Sequence, residues 1–114
     1  MRRFIIDTDT AFDDAAAIMI AAMSPQIDLL GVTIVAGNVG LAQAADNALM
    51  TLEVCGCDAP VFLGARQPLF HDRHETISVH GKDGMGDCDI IHPQKAPETM
   101  RAVEFILSQV EKYP

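Results

Sequence analysis

Strand-like and helix-like segments alternate along this chain, and that order constrains its fold more than any other feature. Phe4, Ile5 and Ile6 form a continuous apolar run, which is typical of a strand buried on both faces of a parallel sheet, and 27–36 is rich in β-branched residues. Alternation of this kind predicts an α/β fold, with an open, mainly parallel sheet and helices on both faces. The predicted order is a strand at 3–6, a helix at 13–23, a strand at 27–36, a helix at 41–55, a strand at 60–63 and a helix from Pro97 to about 112.

The predicted helices differ in the faces that they should bury. The first carries Ala, Ile and Met on nearly every side and should be well buried. The second should turn one apolar face to the core, with Asp46, Asn47 and Glu53 lying elsewhere. The last should pack an apolar stripe against the sheet, formed by Met100, Val103, Ile106, Leu107 and Val110.

The length of 114 residues predicts a single α/β domain over 1–114. The last helix is followed by no strand, and a three-stranded parallel sheet would leave open edges. The domain is therefore expected to be the incomplete N-terminal part of a longer one. Residues 65–97 hold all four histidines without steady periodicity, and so long a loop predicts an active-site loop region.

Charge and composition exclude several classes of partner. The formal net charge is -8, with 8 Lys and Arg against 16 Asp and Glu, which is the wrong sign for a nucleic-acid binder. It suits a small neutral substrate or a metal cation. No signal peptide or membrane-spanning run is present, so no membrane partner is expected. Cys55, Cys57 and Cys88 lack the spacing of a zinc or redox site, and as reduced thiols they predict a cytoplasmic protein.

Four carboxylates lie within eight residues, between the first predicted strand and its helix. Such charges repel one another unless a cation gathers them, and calcium prefers six to eight oxygen ligands. The alternative is structural, because an aspartate at a helix N-terminus is a common cap. The spacing is not that of an EF-hand, since Ile18 stands at the twelfth position. The four residues are Asp7, Asp9, Asp13 and Asp14.

Two further segments carry candidate polar groups. Asn38 follows the second strand, where its amide could hold a sugar hydroxyl or simply form a turn. His80 opens a glycine-rich segment, 80–87, that is suited to a hinged lid, although a single loop histidine is usually solvated.

Together these segments resemble the inosine-uridine-preferring nucleoside hydrolase family. The matching stretches are IIDTDTAFDDAAAI (5–18), VAGNVGLAQAADNAL (35–49) and VHGKDGMGD (79–87), in the same order and separation. The resemblance implies a Rossmann-like nucleoside hydrolase fold and hydrolysis of the N-glycosidic bond of ribonucleosides, as used in purine and pyrimidine salvage. It also implies a calcium ion, Ca2+, in the active site, and a homo-oligomer, either a dimer or a tetramer.

The resemblance also implies roles for individual residues. Asp9 resembles the general base that also binds calcium, Asp14 resembles a second calcium ligand, and Asp7 is a further candidate ligand. The substrate-binding residues are implied to be Asp13 at a ribose hydroxyl, Asn38 in the sugar pocket and His80 near the nucleobase. Later segments of the family supply other calcium ligands and the acid for the leaving base, so residues 1–114 alone are expected to lack full activity.

Two alternatives are compatible with the residues. A phosphatase of the haloacid-dehalogenase type would use Asp7 as nucleophile, Asp9 as acid and base, and magnesium. That scheme expects a Ser or Thr at the end of a later strand, whereas Thr33 is predicted to lie in the middle of one. The other alternative is a truncated, non-catalytic chain that binds a metal or a partner through its open sheet edges.

Overall fold

The computed structural model describes residues 1–73, 77–87 and 91–114. The strands and helices alternate up to the third strand, as the sequence predicts, and each lies within a few residues of its predicted position. The elements are β1 (Arg2–Thr8), α1 (Phe12–Met23), β2 (Ile27–Ile34), α2 (Leu41–Val54), β3 (Val61–Leu63), α3 (Ile77–His80) and α4 (Ala102–Lys112).

The three strands form one parallel sheet in the order β1-β2-β3. Val32 of β2 pairs with Ile6 on one side and with Val61 on the other, which fixes the register of all three strands. The register shifts between Phe4 and Ile5, so that Leu30 is an extra residue on β2. The predicted parallel α/β fold is confirmed.

One face of the sheet packs against α1 and α2 and forms the main core. Side chains of all three strands meet the alanine-rich face of α2, and these small residues let the helix approach the sheet closely. The largest fully buried apolar side chains in this core are Ile18, Val32, Ile34 and Val61.

The other face of the sheet packs against α4. Phe105 stacks on Phe62 with 3.8 Å between ring centroids and 9° between ring planes. The stack lies over Gly31, where an added Cβ would stand 2.7 Å from Cζ of Phe105. Ile5 and Leu30 pack beside the two rings. Helices therefore cover both faces of the sheet, as predicted.

The prediction for the last helix is wrong in its start and in its buried face. The N–H of Glu98 donates to the carbonyl of Val61 at 2.8 Å, so the segment after Pro97 first runs along β3. The helix therefore begins only at Ala102. The buried residues of α4 are Ala102 and Phe105. Four members of the predicted stripe are exposed instead, namely Met100, Val103, Leu107 and Val110.

The prediction that the first helix is well buried is also wrong for the described part of the chain. Ala15, Ile18 and Ala21 face the core, while Ile20 and Met23 are 70% and 68% exposed. A single sheet can cover only one side of a helix, so the opposite apolar side stays at the surface. Over the described ranges, no helix is long and apolar enough to cross a membrane.

Candidate functional site

The candidate site lies where β1 and β2 end side by side. Thr8 pairs with Ile34, and the N–H of Val35 donates to the carbonyl of Thr8 at 3.0 Å. The turn at 9–11 and the turn at 35–40 therefore leave the sheet as neighbours. This is the edge at which open parallel sheets bind their ligands.

Asp9 is held against the turn that follows β2. Its Oδ2 accepts a hydrogen bond of 2.7 Å from the backbone N–H of Asn38. Gly37 lies beneath the same side chain, and an added Cβ there would stand 2.8 Å from Cγ of Asp9. The structure thus brings Asp9 and Asn38 together, with a glycine making room for the carboxylate.

Asp14 approaches Asp9 from the first turn of α1. Its Oδ2 accepts the N–H of Ala11 at 3.1 Å, which also caps the helix. Burial raises the pKa of Asp14 above its ordinary value, the Ala11 N–H opposes that rise, and the charges of Asp13 and Asp9 add to it. Two of the other predicted carboxylates therefore act on Asp14.

Asp7 is held separately from these three. The hydroxyl of Thr33 donates to Oδ1 of Asp7 at 2.6 Å, and Asp7 is not among the charges that raise the pKa of Asp14. Thr33 lies within β2 as predicted, but near its carboxyl end, because β2 ends at Ile34.

His80 ends the short helix α3 and reaches the start of α1. Its ring meets the ring of Phe12 edge-on, with centroids 5.0 Å apart and planes at 62°. Phe12 directly precedes Asp13, so His80 lies beside the carboxylate turn. Nδ1 of His80 is buried and has no hydrogen-bond partner among the described residues.

The loop after His80 is held by its own hydrogen bonds. The Asp83 carboxylate accepts from the N–H groups of Met85 and Asp87 at 2.7 Å and 2.9 Å. The N–H of Gly86 donates to the carbonyl of His80 at 2.8 Å. The three glycines adopt left-handed turns, with φ of 78° at Gly81, 76° at Gly84 and 70° at Gly86. Cys88, and His74 among the four histidines of 65–97, lie outside the described residues.

Two residues near the site carry contacts that the sequence interpretation missed. Asn47 is fully buried, so the prediction that it lies away from the core is wrong. Its spacing from Ala44, Ala48 and Thr51 already places it on the buried side of α2, and this signal could have identified it. Arg73 donates from Nη1 to the carbonyl of Gly37 at 3.1 Å, and no sequence pattern indicates that contact.

The donor set suits a hard cation but is partial. Carboxylate oxygens are the ligands that calcium and magnesium prefer, and the repulsion acting on Asp14 is of the kind that a bound cation relieves. In the parts of the chain that the structure describes, no group of three His, Cys, Asp or Glu residues is arranged to hold a metal ion. Asp9 and Asp14 bring two carboxylates together at this edge, fewer than the six to eight oxygens that a calcium ion takes.

Known proteins resemble this chain over nearly its whole length. The family model described as inosine-uridine preferring nucleoside hydrolase matches residues 4–114. Uridine nucleosidase 1 of Arabidopsis thaliana is 40% identical over 114 residues, which cover 98% of this chain and 34% of the plant protein. The non-specific ribonucleoside hydrolase RihC of Klebsiella pneumoniae is 40% identical over 102 residues, which cover 90% of this chain and 34% of that protein.

Solved structures show the same fold. A purine-preferring ribonucleoside hydrolase from Gardnerella vaginalis superposes with a TM-score of 0.92 at 34% identity, covering 98% of this chain and 37% of its own. The plant nucleoside hydrolase PpNRh1 gives a TM-score of 0.91 at 35% identity, and the match covers 99% of this chain and 36% of the plant protein. The chain therefore spans about a third of the length of the proteins that it matches.

Proposed function

Since the chain belongs to the inosine-uridine preferring nucleoside hydrolase family, we propose that it takes part in hydrolysing the N-glycosidic bond of ribonucleosides to ribose and a free nucleobase. The observation that carries this proposal is Asp9, held at the ends of the strands by the Asn38 N–H with Asp14 beside it. The names of the relatives, a uridine nucleosidase and ribonucleoside hydrolases, support the substrate class.

In this proposal Asp9 is the general base and, with Asp14, a calcium ligand, while Asp7 is a further candidate ligand. When calcium is bound, it supplies a positive centre that lowers the pKa of a coordinated water. The Asn38 N–H fixes the orientation of the Asp9 carboxylate, which accepts the proton of the attacking water. The Thr33 hydroxyl holds Asp7 in place at the neighbouring strand end.

The substrate groups are assigned to the residues around these carboxylates. Asp13, exposed beside Asp14, binds a ribose hydroxyl, and the Asn38 side chain lines the sugar pocket. His80 lies near the nucleobase, where its edge-on contact with Phe12 offers an aromatic wall. As the bond to the base breaks, positive charge grows on the ribose, and the carboxylates of Asp9, Asp13 and Asp14 stabilise it.

We assign the remaining parts of the site to segments that the relatives carry beyond the third of their length that this chain matches. Two carboxylates cannot fill a calcium shell, so the other ligands and the acid for the leaving base belong to the segments found in the rest of the relatives. In this view 1–114 is one part of the hydrolase domain, and 65–97 is its active-site loop region. The protein acts in the cytoplasm in nucleoside salvage, which suits the free thiols of Cys55 and Cys57, and it forms a homo-oligomer.

One contact favours the haloacid-dehalogenase alternative. The Thr33 hydroxyl lies 2.6 Å from Oδ1 of Asp7, where that scheme expects a Ser or Thr beside its nucleophile. The family match and the unused pair Asp13 and Asp14 oppose it. Trapping of a phosphoryl group on Asp7 by a phosphate ester would decide for the phosphatase.

The proposal is tested by calcium titration calorimetry on the chain and on two variants. Asp9→Asn should weaken calcium binding on the order of tenfold or more, because a carboxylate ligand is lost. Asp28→Asn removes a carboxylate near the opposite end of β2 and should leave the calcium affinity unchanged. Equal calcium affinity in all three proteins would refute the metal site. Release of reducing sugar from inosine and uridine, measured in parallel, reports turnover.

A further inference from the structure

We propose that Asn47 is a positioning residue that joins the carboxylate turn to the loop carrying His80. The consequence for catalysis rests on the proposed function, whereas the connection itself rests on geometry alone. Asn47 lies in the second turn of α2 and touches neither Asp9 nor His80 through any of its hydrogen bonds. It acts through the backbone on either side.

Both polar atoms of the Asn47 side chain have hydrogen-bond partners. Nδ2 donates to the carbonyl of Thr10 at 2.9 Å and to the carbonyl of Asp83 at 2.6 Å. Oδ1 accepts from Nε2 of Gln43 at 3.0 Å, which fixes which end of the amide faces the two carbonyls. The residue is 0% exposed, so water does not compete for these bonds.

The position requires an amide with two hydrogens on one nitrogen. An aspartate would direct an oxygen at the two carbonyl oxygens of Thr10 and Asp83, and a leucine would leave both without a donor. The side chain is held on a helix of 14 residues whose other buried positions fill the main core. The amide therefore projects from a helix packed in the core toward two irregular segments, a turn and a loop.

A close backbone contact at Gly84 supports the same connection independently. Gly84 is buried, and an added Cβ would stand 2.9 Å from Cγ1 of Val39, 3.4 Å from Nδ2 of Asn47 and 3.5 Å from Cα of Ala11. The loop is thus inserted into the junction between the two strand-end turns and α2. Hydrogen bonding and shape together define where it sits.

The two anchored carbonyls lie close to the functional groups on either side. Thr10 directly follows Asp9, and Asp83 comes three residues after His80. A shift of either carbonyl relative to Asn47 changes the separation between the general base and the residue assigned to the nucleobase. A misplacement of about 1 Å can cost on the order of a hundredfold in rate.

The test compares Asn47→Asp with Thr51→Val by NMR, in the absence of calcium and nucleoside. Thr51 is also buried in α2, and its hydroxyl donates to the Asn47 carbonyl at 2.7 Å, so its loss removes a hydrogen bond without touching the loop. Asn47→Asp should speed amide exchange at Gly84 and Met85 by about tenfold or more. It should also weaken the cross-relaxation between the Val39 methyl and Gly84 protons, and shift the His80 ring signals. Thr51→Val should do none of these.

Two other variants decide the outcome if Asn47→Asp does not fold. Gln43→Leu removes the bond that orients the amide, and Gly84→Ala wedges the loop out of its junction. Either should reproduce the faster exchange and the His80 shift. If the loop signals of the folded variants match those of Thr51→Val, the proposal is wrong. Because no readout depends on calcium or turnover, its failure is separate from that of the hydrolase assignment.

Discussion

At the scale of single residues, Asp9 owes its position to two features of the turn after β2. The Asn38 N–H orients its carboxylate, and Gly37 leaves the space that the carboxylate fills. Both features come from a segment 28 or 29 residues further along the chain. The site is therefore sensitive to changes that never touch the acidic turn itself.

Gly37→Ala is expected to displace Asp9. A methyl group at Gly37 would overlap the Asp9 side chain, so the carboxylate must leave the Asn38 N–H. We expect calcium affinity, and turnover in an active assembly, to fall on the order of a hundredfold with little loss of stability. Gly40→Ala is the matched control, because the nearest atom to its added Cβ is 3.9 Å away. Equal calcium affinity in the two variants would contradict this account of Gly37.

Asp14→Asn is expected to weaken calcium binding and to raise the stability of the chain. The pKa of Asp14 is raised by burial and by its neighbours Asp13 and Asp9, so the folded chain holds this proton more tightly than the unfolded chain. Stability should therefore fall as the pH rises through the window from about 4 to that raised pKa, and the deficit should persist at neutral pH. Asparagine removes the charge and keeps an acceptor for the Ala11 N–H.

Thermal unfolding at pH 7 with and without calcium measures both effects. In a chelator, Asp14→Asn should melt at a higher temperature than the original chain, and its stability should fall less as the pH rises above the ordinary pKa of an aspartate. Added calcium should stabilise the original chain and not the variant. A variant that melts lower in chelator and still gains from calcium would argue against repulsion at Asp14.

The sequence identifies some residues of the site and not others for a physical reason. The four aspartates are near neighbours in the chain, so their mutual repulsion can be inferred without a fold. Asp7 meets Thr33 across 26 residues, and Asn47 meets Thr10 across 37. Such partners are chosen by strand register and helix placement, which local patterns do not encode.

At the scale of elements, periodicity predicts that α4 exists but not which side it buries. The helix has apolar residues on more than one side, so several faces satisfy a helical spacing. The buried side is selected by Phe105, whose ring lies over Gly31 and stacks on Phe62. Gly31 of β2, which has no side chain, therefore decides which side of α4 faces the sheet.

Gly31→Ala is expected to loosen α4 from the sheet. The added methyl would stand 2.7 Å from the Phe105 ring, and overpacking of this kind costs roughly 1–3 kcal/mol. Phe105→Leu should also destabilise the chain, but the double variant should lose less than the sum of the two, because the smaller side chain makes room for the methyl. Urea unfolding of all four proteins measures the coupling. Strictly additive losses would show that Gly31 and Phe105 do not compete for space.

At the scale of the whole molecule, the parallel fold could be predicted while the burial of its outer elements could not. A continuous apolar strand and an apolar helix indicate burial on every side, yet β1 lies at the edge of three strands and Phe4 is 37% exposed. The chain spans about a third of the length of the proteins that it matches. Composition predicts how apolar an element is, whereas its burial depends on what else is present.

The uncovered side of α1 leads to a prediction about association. Met19, Ile20 and Met23 form an exposed apolar stripe, with 40%, 70% and 68% of their surface accessible, and α1 carries no charge after Asp14. Contiguous apolar surface of this kind marks a contact site in soluble proteins. We therefore expect the 114-residue chain to self-associate through this stripe, in keeping with the proposed homo-oligomer.

The variant Ile20→Glu tests whether this stripe, and not other exposed apolar surface, forms the contact. Val54, at the end of α2, is 71% exposed and so matches Ile20 in accessibility, but it lies outside the stripe. A glutamate at Ile20 would bring an unpaired charge into the contact, which should weaken association on the order of tenfold or more, while Val54→Glu should leave it unchanged. Sedimentation velocity over a dilution series measures both. Because the two variants add the same charge to the same fold, a general effect of acidity would move them together, and such parallel behaviour would count against α1 as the contact surface.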